Sequence, residues 1–327
     1  MIDLKNKMNL YSVITMSLGG LFLLFFPSFG GPFYMHIFII LFLNVVLATS
    51  YRPLYVTGLG SFCHVTFYGI GAYTSALLAV KLGMPFGVCF LAAGIMPAIV
   101  AVLVGWVSAR SRGPYFFLIS FAFWAVMDSV FRHWGSMTGG PGGLKDIPPL
   151  MGLETVTPYY YVVMLLAVLV VFILYRLDKS RFGAELLAIG DADDLAEVVG
   201  IDVVRHRVLA FAIGALFAGF AGSIYAHYMR FISPSAFSMF FTLYILIWCV
   251  MGGERKLWGP IAGATFLTLV AEFLRMSGPR QAILYSAALL AVVMLMPHGF
   301  VGLVDDLRTK RGTSESSAKN TKLPTVE

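Results

Sequence analysis

His64, His227, Asp128 and Glu272 are among the few ionisable residues inside long apolar stretches of this chain, and their spacing decides what chemistry is open to it. A relay moving protons or ions through a bilayer needs such groups at mid-depth. Asp128 and Arg132 stand at i and i+4 near the end of one stretch, and Glu272 and Arg275 similarly close another. Both read as helix-end ion pairs reaching interfacial water. His64 and His227 read as packing histidines rather than ligands. His133 and Ser136 are close in sequence, but a nucleophile and its base must meet in space, and no oxyanion motif accompanies them. Cys63, Cys89 and Cys249 lie in apolar surroundings without metal-ligand spacing. No G-x-x-x-x-G-K-[ST] loop is present to cradle nucleotide phosphates. The expectation is a protein that is not an enzyme and needs no cofactor.

The elements that must position these residues are set by composition. Hydrophobic residues make up 59% of the 327 and charged residues 12%, against about 25% charged in soluble domains. Most of the chain therefore faces lipid, where a span needs roughly 20 apolar residues. Apolar runs between breakers predict an all-α, polytopic transmembrane bundle. Its spans fall near 10-27, 33-50, 54-80, 86-108, 114-132, 159-176, 208-228, 236-251, 258-275 and 281-297. Residues 1-304 form the membrane domain, and the charged, Ser-rich stretch 305-327 reads as a disordered cytoplasmic tail. Lys5 and Lys7 precede the first run without a small-residue cleavage site, which predicts a retained helix. The formal charge of +6 is spread over loops, so no nucleic-acid surface is indicated.

Placing the longest polar connection, 177-207, in the cytoplasm fixes the other loops by alternation. Seventeen of the 23 Lys and Arg then fall inside and six outside, as the positive-inside rule requires, and both termini are cytoplasmic. The 133-158 segment is then an external loop rich in Gly and Pro.

Two places break the helical pattern. The third segment carries Gly58, Gly60, Ser61, Gly69 and Gly71, and interrupted backbone at membrane depth is tolerated only where protein or a wet cavity satisfies it. With Tyr73, this cluster is the candidate translocation path. Gly252, Gly253, Trp258, Gly259 and Pro260 echo it later in the chain, and paired breaks point to a transport route. The alternative is that small residues simply let helices pack closely.

From Ser180 the cytoplasmic connection reads SRFGAELLAIGDADDLAEVVGI. Leu186, Ile189, Leu195, Val198 and Val199 predict two short helices lying on the membrane face, a natural docking surface.

The chain resembles the LivM-type permeases of branched-chain amino-acid ABC importers over about Gly58 to Gly302. The blocks that carry the resemblance, in order, are GLGSFCHVTFYGIGAYTSALLA from Gly58, RGPYF from Arg112, WGSMTGGPGGL from Trp134, the Ser180 block, AFAIGALFAGFAGSIYAHYMRFISP from Ala210 and GGERKLWGPIAGA from Gly252. The resemblance implies a bacterial inner-membrane subunit working with a second related permease, two cytoplasmic ATP-binding subunits and a periplasmic solute-binding protein. It implies that 183-200 is the ATPase-coupling segment, with Gly183, Glu185, Asp191, Asp194, Glu197 and Gly200 as its marked positions and Glu197 and Gly200 in its EAA-like core. It implies that Gly58 to Tyr73 is the pathway helix, and that Trp134, Thr138, Gly139 and Gly140 belong to a loop that meets the binding protein.

Two departures stand out. The coupling segment carries Glu185, Asp191, Asp193, Asp194 and Glu197 and no Lys or Arg, which implies a positively charged partner groove. Ala125 occupies the region where the family commonly has a Glu, just before Asp128. The solute stays open: branched-chain amino acids, or urea, short amides or aromatic acids within the same family. An ion-coupled carrier is the rival of a different class.

Overall fold

The computed structural model describes residues 20, 23-111, 113-150, 153, 155-253, 255-275, 280, 283-287 and 290. The principal helices are α1 (Pro32–Tyr55), α2 (His64–Leu82), α3 (Phe86–Ser108), α4 (Pro114–His133), α5 (Val156–Asp178), α6 (Arg181–Asp191), α7 (Asp193–Val198), α8 (Val203–Met229), α9 (Met239–Gly252) and α10 (Trp258–Arg275). Seven helical segments among the described residues are long and apolar enough to cross a membrane: α1 to α5, α8, and α9 together with the 3-10 turn before it. The chain is thus an all-helical, multi-pass membrane protein. Each of the seven, and α10 as a helix, matches a predicted run. The first and tenth predicted spans lie largely outside the described residues, as does the 305-327 tail.

The starts and stops follow local chemistry. Pro32 and Pro114 open α1 and α4 at positions where a missing N–H costs nothing. Asp202 caps α8 by accepting from the Arg205 N–H at 2.9 Å. Gly83 ends α2 in the left-handed conformation at φ 58°.

The bundle is built around α8, whose glycines bring three helices to backbone contact. A Cβ on Gly214 would lie 2.6 Å from the Ser50 carbonyl oxygen of α1; one on Gly219, 2.1 Å from Ala93 O of α3; and one on Gly222, 2.1 Å from Tyr68 O of α2. Small residues at such crossings let dispersion contacts do what hydrophobicity cannot do in lipid. α4 lies at the edge, with Tyr115, Phe117, Leu118 and Val126 exposed.

The third predicted segment, 54-80, is broken as expected, and only its bounds change: α1 runs on to Tyr55, residues 56-63 are non-helical, and α2 starts afresh at His64. Gly58 at φ 78° is the position that L residues disfavour. Thr57 Oγ donates to Leu54 O at 2.7 Å, and the freed Thr57 carbonyl accepts from Arg207. A carbonyl that the break leaves open is thus satisfied by protein.

Contacts sort the helix ends into two groups. At one end Arg52 meets Asp178, Arg207 meets Asp193 and Arg255 meets Asp191. At the other His36 meets Tyr228, Lys81 meets the Ser136 carbonyl, and Leu144 forms an antiparallel bridge with Ile232.

Candidate functional site

Ser180 starts α6, its hydroxyl accepting from Gly183 N at 3.4 Å. The helix then turns its apolar residues Leu186 and Ile189 into the bundle. Gly190 lets it approach closely: a Cβ there would lie 1.8 Å from Val56 O. That carbonyl belongs to the break between α1 and α2. Tyr55, Val56 and Gly58 from the break, Leu187, Gly190 and Asp191 from α6, and Arg255 line a shared cleft of about 280 Å³. The predicted coupling segment and the predicted break, far apart in sequence, thus touch.

Ala196, not Leu195, is the buried residue of α7, packed with Ile189 and Val203. Leu195, Val198 and Val199 are 68, 83 and 74% exposed, so none of them packs into the bundle. Six residues make less than two turns, and the glycine-tight seat of α6 decides which face turns inward. Asp194, Glu197 and Gly200 are exposed beside this apolar strip.

Acidic residues of the segment have basic partners elsewhere in the chain. Glu185 accepts from His206 and from Arg181, both at 2.8 Å, and these two partners, the His206 bond foremost, hold its carboxyl below the usual range. Asp191 pairs with Arg255 at 3.0 Å and Asp193 with Arg207 at 2.9 Å. Glu185, Asp191 and Asp193 thus have bases of this chain as partners. Sequence reading missed Arg52, Arg207 and Arg255 as the anchors. The available signal was basic residues at helix ends on the same side as an acidic segment.

Arg207 also donates to Thr57 O at 3.1 Å, so one buried guanidinium holds both α7's first residue and the break. Arg52, buried in the last turn of α1, donates to Asp178 at 2.6 Å and to Arg255 O at 2.9 Å. These contacts tie α6 and α7 to α1, α5, α8 and the α9-α10 hairpin. That hairpin is itself tight: a Cβ on Gly252 would lie 1.7 Å from Gly259 O.

The candidate path residues divide. Gly58, Gly60 and Ser61 sit in the break, where Ser61 N donates to the buried Tyr51 hydroxyl at 2.9 Å. Gly71 lies against Gly219, 2.4 Å for a built Cβ, so it serves helix packing. Gly69 faces the Phe131 and Phe237 rings, and Tyr73 stacks on Phe131 at 4.8 Å between centroids.

The segment after α4 has local structure of its own. Trp134 is half-exposed, and Gly135–Thr138 form one helical turn. The buried Thr138 hydroxyl donates to Phe131 O or Trp134 O, each at 2.8 Å. Gly139 and Gly140 take φ 75° and 58°. His227 is a packing residue, with Ser75 at 2.9 Å on Nε2 and Pro148 O at 2.7 Å on Nδ1. His64 meets Ser50 at 3.1 Å. His133 bonds to Ser129, not to Ser136. The expected Asp128–Arg132 and Glu272–Arg275 pairs are present at 2.7 and 3.0 Å. Among the described residues the cysteines are free and buried, and no group of three His, Cys, Asp or Glu could hold a metal.

The permease protein LivM of the high-affinity branched-chain amino acid transport system of Escherichia coli is 28% identical to this chain, over 85% of the chain and 71% of that protein. LivH of the same organism is 28% identical over 79% of the chain and 90% of its own length. The L-arabinose transport permease AraH of E. coli is 35% identical over only 24% of the chain. No solved structure matches. Residues 33-297 match the family described as branched-chain amino acid transport system / permease component, and this chain belongs to that family.

Proposed function

We propose that this chain lines the translocation path of an ATP-driven importer of branched-chain amino acids and is moved by a separate ATP-hydrolysing subunit docked on α6 and α7. One observation carries the reading: Leu195 and Val198 of α7 and the Val199 that follows it are left exposed on a segment seated backbone to backbone on the break between α1 and α2. An exposed apolar strip on an otherwise polar face marks a protein contact. The seat gives displacement of that contact a direct route to the interrupted backbone, the bistable element the mechanism needs. The end bearing Arg52, Arg207 and Arg255 is cytoplasmic in this reading, which accords with the positive-inside rule.

Family membership supports a second related permease beside this one. In this reading the opposite end, with Trp134, Thr138, Gly139 and Gly140, is the surface offered to a periplasmic binding protein, and the complex works in a bacterial inner membrane. The strip predicts a specific failure. Val198→Asp with Val199→Asp leaves insertion and the α6 seat intact, yet co-purification of the ATP-binding subunits falls at least tenfold and ATP-driven leucine uptake is lost. Retained co-purification and uptake would sink the docking role.

A further inference from the structure

Tyr73 is 3% exposed, and its hydroxyl has no hydrogen-bond partner; neither has Oδ1 of Asp128. Leaving such groups unpaired in an apolar interior opposes folding, so their persistence calls for an explanation. Both lie where α2 meets α4. The Tyr73 ring stacks on Phe131, one turn from Asp128 and next to Arg132 on α4. Phenylalanine would fill the same space without the orphaned oxygen.

The available groups are complementary to a zwitterion. Asp128 Oδ2 accepts from Arg132 Nε at 2.7 Å, which leaves Oδ1 as an acceptor for an ammonium. The Tyr73 O–H is a donor for a carboxylate, and the Arg132 guanidinium, 42% exposed, carries further donors. Thr138 of the outer loop bonds Phe131 O in the same helix turn, so the cluster lies directly beneath the surface proposed to receive solute.

We infer that Tyr73 and Asp128, with Arg132, form an entry station that binds the ammonium and carboxylate of an amino acid as it passes from the outer loop into the path. This rests on the proposed function and names the residues that would read its solute. The test is ATP-driven leucine uptake by the whole reconstituted complex, with binding protein and leucine saturating. Tyr73→Phe keeps the ring stack and is expected to assemble normally while lowering the uptake rate at least tenfold; Asp128→Asn is expected to lower it as far.

Uptake by Tyr73→Phe within twofold of wild type would overturn the inference. So would its failure to assemble, which would make the hydroxyl structural. A wild-type complex that moves no leucine with ATP would remove the proposed function together with the station, whereas normal wild-type uptake beside normal Tyr73→Phe uptake removes the station alone.

Discussion

Arg52→Met is expected to destabilise the protein by about 3–5 kcal/mol, because it leaves one member of a buried ion pair without the other. Arg52 is 3% exposed and Asp178 18%, and their nitrogen and oxygen are 2.6 Å apart. The same guanidinium donates to the Arg255 carbonyl, so its loss also frees the α9-α10 hairpin from α1. The measurement is thermal unfolding of the detergent-solubilised protein, followed by the fraction that remains monodisperse. A second variant separates charge from packing. Arg52→Met with Asp178→Leu removes both charges, and replacing a buried pair with apolar groups is often neutral. The double variant should recover at least half of the loss. Equal losses in single and double variants would show that the Arg255 contact, not the ion pair, matters at this corner.

The second large effect is steric. Gly222→Val puts a branched side chain where even a Cβ would lie 2.1 Å from Tyr68 O and 2.9 Å from Ala72 N. Backbone cannot give way as a side chain can, so α2 and α8 must separate. The cost lies at or above the top of the usual overpacking range, about 3 kcal/mol. Separation would also break the bonds of Ser75 to Ser223 and His227, at 2.7 and 2.9 Å. The control is Gly87→Ala on α3, where a Cβ meets nothing within 4 Å; a surface change of this kind alters stability by about 0.5 kcal/mol or less. Similar unfolding temperatures for the two variants would refute the idea that glycine contacts on α8 hold the bundle together.

Much of the fold could be read from residue order because the bilayer imposes a local rule. Each span must satisfy its own backbone, so an apolar run of sufficient length is a helix whatever it packs against. The runs at 86-108 and 114-132 accordingly coincide with α3 and α4 to within a residue. The break was also legible, but its shape was not. Gly58 marks a place where the helix ends, whereas Gly71 looks the same in sequence and is a packing contact against Gly219. Only the neighbour distinguishes them.

Residue order by itself determined the solvent, the helices, the break near Gly58 and the grouping of loop charges, since hydropathy and charge are properties of short windows. Tertiary structure alone decided which carboxylates of the coupling segment are neutralised, which side of α7 is left bare, and which glycines pack rather than bend. Arg207 reaches back 150 residues to Thr57 and Arg255 reaches 64 residues to Asp191. Ion pairs and helix contacts depend on distance in space, and no window of sequence contains that distance.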